Sequence, residues 1–135
     1  MGQEKRLVLV VDDEVHILHV VSLKLRNAGY EVVTAENGQE ALELALARRP
    51  DMVITDFQMP LMSGLELCQR FKEEPSTNTL PVLMLTARGF SLSAEDLDKT
   101  NIAGVLSKPF SPREVLARVQ DLIGGQVDQE KELAP

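Results

Sequence analysis

Aromatic residues are scarce in this chain, which has no tryptophan, one tyrosine and four phenylalanines among 135 residues. Little aromatic surface is therefore available for stacking on nucleobases or sugars. Cysteine is almost absent as well, since Cys68 is the single one, so no internal disulfide can form. We expect Cys68 to be a small core residue and the protein to be cytoplasmic, where free thiols persist.

Long hydrophobic runs are also missing. No apolar stretch approaches the ~20 residues of a membrane-spanning helix, and only five apolar residues precede Asp12, fewer than a signal peptide needs. Basic residues are outnumbered, with 14 Lys and Arg against 21 Asp and Glu and a net charge of −7. Because a phosphate backbone is held by Lys and Arg, we expect neither membrane association nor direct nucleic-acid binding.

Five short apolar runs alternate with five stretches of helical character. We predict strands at Leu7–Val11, Glu31–Ala35, Met52–Thr55, Val82–Thr86 and Val105–Ser107. Four runs do not alternate polar with apolar residues, which is typical of strands covered on both faces. The second run is mixed and indicates an edge strand. The regular alternation predicts one α/β domain with a parallel sheet between two layers of helices.

Capping patterns place several helix ends. Asn37, Ser63 and Ser111 are each followed three residues later by a glutamate, a pattern typical of helix starts. We predict a first helix over about residues 14–28, which stops at Gly29, and a last one that ends at Gly124. The fourth helix, at about residues 92–100, has few apolar residues, so we expect it to be the most mobile.

Polar side chains gather where the predicted strands end. Asp12 and Asp13 follow the first strand, Asp56 follows the third, Thr86 closes the fourth and Lys108 follows the fifth. In open parallel sheets the functional crevice lies beyond the carboxyl ends of the strands. Burying unpaired carboxylates is expensive, and a divalent cation with a buried lysine would make such a cluster tolerable. The same groups would make one aspartate a phosphoryl acceptor.

Four segments carry a family resemblance, namely residues 10–14, 56–64, 85–87 and 108–110. In this order they resemble the receiver domain of two-component response regulators, over about residues 6–123, with residues 124–135 as a polar tail or linker stub. The resemblance implies a flavodoxin-like (βα)5 three-layer sandwich whose five parallel strands lie in the order 2-1-3-4-5.

The resemblance also implies a reaction. Asp56 would accept a phosphoryl group from the phosphohistidine of a sensor histidine kinase or a histidine phosphotransfer protein. Asp13 and Asp56 would hold Mg²⁺ or Mn²⁺ directly, Asp12 mainly through a water, and the backbone carbonyl of Gln58 would be a further ligand. The ammonium of Lys108 would take up charge on the phosphoryl oxygens. Because the acceptor is the protein itself, we expect a regulator that assists its own phosphorylation and dephosphorylation, not an enzyme.

The response to the phosphoryl group is implied in the same way. Thr86 would hydrogen-bond a phosphoryl oxygen and change the surface formed by the fourth helix, fifth strand and fifth helix, where a downstream protein target, an effector domain or a second copy would bind. Ala87 would leave the acceptor accessible, while Gln58 and Arg88 would tune the lifetime of the phosphoryl group. The Lys108–Pro109 bond would be cis.

Val105 departs from the family pattern, which commonly has Tyr or Phe three residues before the lysine. Valine has one stiff χ1 and no ring to swing, so an aromatic-gated switch is not expected here. Switching would then depend on the loop after Thr86 and on the fourth helix.

Other functions fit the residues less well. A pseudo-receiver that binds partners without phosphorylation would not need Asp13, Asp56, Thr86 and Lys108 together. A hydrolase with an aspartyl-phosphate intermediate wants a second aspartate where Gln58 stands. A flavin-binding protein of this architecture needs a phosphate-cradling loop after the first strand, and the two aspartates there would repel it. His16 and His19 have no evident ligand partner and are expected on the solvated surface.

Overall fold

The structure is a computed structural model, and it describes residues 5–87 and 92–124. Strands and helices alternate along these residues. The strands are β1 (Leu7–Val11), β2 (Glu31–Ala35), β3 (Met52–Asp56), β4 (Val82–Thr86) and β5 (Ile102–Ser107). The helices are α1 (Val15–Asn27), α2 (Gly38–Arg48), α3 (Gly64–Glu73), α4 (Ala94–Asp98) and α5 (Pro112–Ile123). None of the helices in these two ranges combines the length and the apolar character that crossing a bilayer requires.

The five strands form one parallel sheet in the order β2-β1-β3-β4-β5. The predicted fold class and strand order are therefore confirmed, and so is the edge position of β2. Helices α1 and α5 lie against each other on one face of the sheet, and α2 and α3 pack together on the other. The chain is thus a three-layer sandwich, with the carboxyl ends of all five strands at one edge.

Two hydrophobic clusters form the core, one on each face of the sheet. Alternate residues of β1 enter different clusters: Val8 and Val10 pack towards α1 and α5, whereas Leu9 and Val11 pack towards α2 and α3. This period of two explains why β1, β3 and β4 are buried along their whole length and apolar up to the polar residues at the ends of β3 and β4, which are Thr55, Asp56 and Thr86. Cys68 is fully buried in the second cluster, as expected.

The predicted helix caps are present, with one difference between them. Ser63 and Ser111 form complete capping boxes with Glu66 and Glu114. The Asn37 side chain accepts a hydrogen bond from the amide of Glu40 at 2.8 Å. The Glu40 carboxylate, however, accepts from the amide of Glu36 and not from that of Asn37.

Two elements, the fifth strand and the fourth helix, differ from the predicted bounds by two residues or more. The fifth strand begins at Ile102, three residues before the predicted start at Val105. No signal in the sequence marks this start, because Ala103 and Gly104 belong to residue types that are poor strand formers. The register between β4 and β5 also shifts at this point.

The predicted helix at residues 92–100 shrinks to Ala94–Asp98, which Ser93 caps and whose residues all remain unburied. Its expected mobility stays a prediction. The predicted tail lies outside the described residues beyond Gly124, which ends α5 with a φ of 85°.

Gly64 lets the start of α3 lie against the end of β3. Its amide donates to the carbonyl of Phe57 at 2.8 Å. A Cβ at this position would lie 2.3 Å from the Asp56 carbonyl oxygen and 3.0 Å from Phe57 Cα. Both contacts are with backbone that cannot move without shifting Asp56, so the position requires glycine.

We predict that Gly64→Ala lowers the free energy of unfolding by about 1–3 kcal/mol, because the added methyl must displace the β3 backbone. Urea unfolding measures the difference. Gly104→Ala is the matched control, since a Cβ there would meet Arg118 Nη1 at 3.2 Å and Leu83 Cδ1 at 3.3 Å, both ends of side chains. Equal stability of the two variants would contradict the proposed close approach at Gly64.

Candidate phosphoryl-transfer site

A cleft of about 580 Å³ opens at the carboxyl edge of the sheet. The loops after β1, β3 and β5 form its walls. Its lining residues are Asp13, Glu14, Asp56, Phe57, Gln58, Met59, Pro60, Ser63 and Lys108. The cleft is therefore polar on the side of β1 and β5 and partly apolar on the side of the β3–α3 loop.

Three carboxylates meet at this edge. Asp12, Asp13 and Asp56 each place one oxygen so that all three atoms lie within 4.8 Å of one another. Asp12 is fully buried, Asp56 is 5% exposed and Asp13 is exposed at the mouth of the cleft. The predicted convergence of these residues is therefore confirmed, and it arises because β1 and β3 are neighbours in the sheet.

Lys108 brings a positive charge to the carboxylates. Its Nζ lies 3.2 Å from Asp56 Oδ1, 3.5 Å from Glu14 Oε1 and 3.9 Å from Asp12 Oδ2. The backbone amide of Lys108 donates to the carbonyl of Thr86 at 2.8 Å, and the Lys108–Pro109 bond is cis, as the resemblance implied. The lysine is thus fixed to the end of β4 while its side chain reaches across to β3 and β1.

The electrostatics of the cluster follow from burial. Burial raises the pKa of Asp12 from 3.8 to about 6, and Asp56 adds to this rise while the Glu14 amide and Lys108 oppose it. Burial likewise raises the pKa of Asp56, with Lys108 opposing. Burial acts to lower the pKa of Lys108, but Asp12 and Asp56 outweigh it and raise the pKa. The carboxylates of Asp12, Asp13 and Asp56 outnumber the ammonium of Lys108 beside them, so the ionised site has an excess of negative charge that the lysine offsets only in part.

The donor set fits a hard divalent cation. Asp12 Oδ1 accepts a hydrogen bond from the Glu14 amide at 2.9 Å, whereas its buried Oδ2 has no hydrogen-bond partner within residues 5–87 and 92–124. An orphaned carboxylate oxygen beside two further carboxylates is the all-oxygen environment that Mg²⁺ prefers. Asp12, Asp13 and Asp56 are the residues that would hold such an ion.

Comparison with known proteins agrees with this arrangement. The sequence profile of the response regulator receiver domain matches residues 8–120. The chain belongs to this family. It is 36% identical over 118 residues to the phosphate regulon transcriptional regulatory protein PhoB of Pseudomonas aeruginosa, which covers 87% of this chain and 52% of the relative.

Two further relatives extend the comparison. The DNA-binding dual master transcriptional regulator RpaA of Synechocystis is 36% identical over 124 residues, covering 86% of this chain and 48% of the relative. Among solved structures, the chemotaxis response regulator CheY4 of Vibrio cholerae has a TM-score of 0.82 and 36% identity, covering 89% of this chain and 100% of that one.

The chain spans about half the length of the curated relatives that it matches. Those relatives are named as transcriptional or DNA-binding regulators. The expectation that this protein does not bind nucleic acid directly is therefore not confirmed.

Three further residues that the resemblance singled out, Thr86, Ala87 and Val105, lie on or directly after β4 and β5. Thr86 ends β4 next to Leu85, the register partner of Asp56, and its Oγ1 is buried with no hydrogen-bond partner in the described part of the chain. Ala87 is exposed. Val105 pairs with Met84 across β4 and β5 and is half-buried on the face of α2 and α3.

Of the two residues predicted to tune the lifetime of the phosphoryl group, only Gln58 lies within the described residues. Gln58 is exposed and lines the cleft, so its side chain is placed to meet solvent at the acceptor. Arg88 lies outside the described residues. His16 and His19 are exposed, as expected.

Glu14 is a cleft residue to which the sequence analysis gave no role. It lies on the cleft wall and within ion-pair distance of Lys108. Its place as the third consecutive acid after β1 was the signal that could have identified it.

The shifted pKa of Asp12 predicts how stability depends on pH in the absence of a divalent cation. Its folded-state value, about 6, lies above the ordinary 3.8, so the folded protein holds this proton more tightly than the unfolded chain does. The free energy of unfolding should therefore fall as the pH rises from about 4 to about 6, and Asp12→Asn should raise it by about 1–3 kcal/mol at about pH 7.

Urea unfolding in a chelating buffer measures this effect, and Asp98→Asn, which removes an exposed carboxylate, is the control. Addition of Mg²⁺ should stabilise the wild type more than Asp12→Asn. An Asp12→Asn protein that is less stable than wild type at pH 7 in the chelator would contradict the prediction.

Proposed function

We propose that this receiver domain is a phosphorylation-dependent switch in which Asp56 accepts a phosphoryl group from a phosphohistidine. The observation that supports this most directly is the contact of Lys108 Nζ with Asp56 Oδ1 at 3.2 Å, beside two further carboxylates and at an open cleft. A carboxylate that is nearly buried yet reachable from a cleft is suited to act as a nucleophile.

The proposed reaction is an in-line phosphoryl transfer. An Oδ atom of Asp56 attacks phosphorus, the new P–O bond forms and the P–N bond to the donor imidazole breaks, leaving its electron pair on the ring nitrogen. The Lys108 ammonium stabilises the negative charge on the transferred oxygens. Mg²⁺, when bound by Asp12, Asp13 and Asp56, would supply further charge stabilisation for the phosphoryl oxygens.

The acceptor must be ionised to attack. Burial favours its neutral form, whereas the Lys108 ammonium at 3.2 Å favours the carboxylate. Lys108 would therefore have two effects: it would keep the Asp56 nucleophile ionised, and it would then stabilise negative charge on the transferring phosphoryl group. Because the phosphoryl group stays on the protein, we propose a regulator that assists its own modification and its reversal rather than an enzyme acting on a separate substrate.

The phosphodonor would be a protein, namely a sensor histidine kinase or a histidine phosphotransfer protein. Asp56 lines a cleft of about 580 Å³ through which an imidazole would approach, and the exposed lining of this cleft includes Gln58 and Pro60. We place the exchange in the cytoplasm, where a free thiol such as that of Cys68 persists.

The proposed readout passes through Thr86. Its unpartnered hydroxyl stands at the end of β4, and its carbonyl accepts from the amide of Lys108. A phosphoryl oxygen at Asp56 would give that hydroxyl a partner and draw the β4–α4 connection towards the site. Helix α4 buries none of its residues, so little packing resists its displacement. The surface of α4, β5 and α5 would then change for a downstream partner, or for a second copy of the chain.

The first test is phosphorylation by a small donor. Incubation with acetyl phosphate and Mg²⁺ should add the mass of one phosphoryl group to the protein, and Asp56→Asn should abolish the gain. Asp98→Asn, which changes an exposed acid on α4, is the matched control and should be labelled like the wild type. Intact mass spectrometry measures the gain. Absence of any gain in the wild type would overturn the switch and favour a pseudo-receiver that binds partners without phosphorylation.

A second prediction concerns Val105. Because valine has no ring that can move between an inner and an outer position, we expect Val105→Tyr to increase the phosphorylation-dependent change in α4 and β5. Hydrogen exchange with and without acetyl phosphate measures that change segment by segment. Ala103→Tyr, at an exposed position of the same strand, is the control for added bulk. An unaltered response in Val105→Tyr would show that the ring is dispensable in this chain.

A further inference from the structure

Glu14 occupies the N-cap position of α1 without capping the helix. Its backbone is extended, with φ −93° and ψ 108°, and its side chain makes no hydrogen bond to the first turn. Its amide donates instead to Asp12 Oδ1 at 2.9 Å, which fixes its backbone to the buried end of β1. The carboxylate is thereby left to point across the cleft, where Oε1 lies 3.5 Å from Lys108 Nζ.

Lys108 is therefore held from two sides. Asp56 contacts it from within the cleft, where the aspartate side chain is 8% exposed, and Glu14 contacts it from the rim, with its own side chain 62% exposed. The contact with Asp56 is the better shielded from solvent of the two, because the Asp56 side chain is nearly buried, while the contact with Glu14 is screened by solvent. The contact between Glu14 and Lys108 is therefore the weaker of the two, and it can break without unfolding any part of the fold.

We propose that Glu14 is a positioning residue that contacts Lys108 from the rim of the cleft before phosphorylation and releases it when the phosphoryl group arrives. This inference rests on the proposed function, because it assigns Glu14 a role in that same transfer. The phosphoryl group brings a second negative charge and three acceptor oxygens to the inner side of the lysine. Lys108 then gains partners inside the cleft, and the screened contact with Glu14 is the one that it gives up.

The consequence is a brake on the transfer. The contact of Lys108 with Glu14 stabilises the protein before the reaction. It is absent while the lysine contacts the transferring phosphoryl group, so it raises the activation free energy of phosphorylation. Removal of the contact should therefore speed phosphorylation. A partly exposed ion pair of this kind corresponds to an increase of about two- to fivefold in rate constant.

Two variants separate contact from charge. Glu14→Gln removes the charge together with the ionic contact. Glu14→Asp keeps the charge at the rim but is one methylene shorter, and it withdraws the carboxylate from a contact that is already 3.5 Å long. If Glu14 acts through the contact, both variants should be phosphorylated about two- to fivefold faster than the wild type. If it acts only by repelling an anionic donor, Glu14→Gln alone should be faster, and this result would overturn the proposal.

The rates are measured by mass spectrometry with acetyl phosphate and Mg²⁺. Glu74→Gln and Glu74→Asp are matched controls, since Glu74 is exposed at the far end of α3 and should leave the rate unchanged when altered. Thermal unfolding checks the fold, and Glu14→Asp should not be destabilised because aspartate is a good N-cap residue.

A second readout does not require phosphorylation. In the metal-free protein, NMR relaxation of the Lys108 Cε methylene should show a more mobile side chain in both Glu14 variants than in the wild type. Unchanged mobility, or a slower transfer in both variants, would overturn the proposal.

Phosphorylation of the wild-type protein distinguishes a wrong role for Glu14 from a wrong proposed function. If the wild type takes up a phosphoryl group at Asp56 while the Glu14 variants react at its rate, the role of Glu14 alone is wrong. If the wild type takes up none, the proposed function is wrong and the role of Glu14 in it falls as well.

Discussion

The ion pairing of Lys108 with carboxylates from two strands is the interaction on which this site depends. Asp12 and Asp56 are nearly or fully buried, and without a neighbouring cation their negative charges would repel each other in a poorly solvated place. Lys108 reaches both because its own backbone is tied to Thr86 at the end of β4. The order of strands in the sheet thus decides which charges meet, and under the proposed function this meeting would prepare Asp56 to accept a phosphoryl group.

Much of the fold follows from local patterns in the sequence. The strand β1 is apolar throughout and β4 is apolar up to Thr86, because both faces of these strands are covered. Ser63 and Ser111 mark helix starts, because their side chains accept hydrogen bonds from the first turn. Prediction failed where those local signals are weak. The start of β5 contains Ala103 and Gly104, which favour a strand only because β4 lies beside them, and α4 has a cap but no apolar face to extend it.

The sequence predicted where the backbone places the site residues better than it predicted the contacts between their side chains. The positions of Asp12, Asp56 and Lys108 follow from strand ends, which a parallel sheet brings to one edge whatever the rotamers are. The contact of Glu14 with Lys108 does not follow in this way. Sequence alone favours capping by an acid at the start of a helix, and only the geometry shows that the Glu14 side chain turns towards the lysine instead.

Burial of the acidic residues is unfavourable for folding, and the two-sided core offsets it. A fully buried side chain such as Val10 or Leu85 stabilises the fold by about 1.5–3 kcal/mol, which is the order of the cost implied by the raised pKa of Asp12. Because the sheet supplies many such side chains on both faces, the edge can carry excess negative charge without unfolding. Under the proposed function, the same margin would let the edge accept a phosphoryl dianion at Asp56, and that group would compete with Asp12 and Glu14 for Lys108.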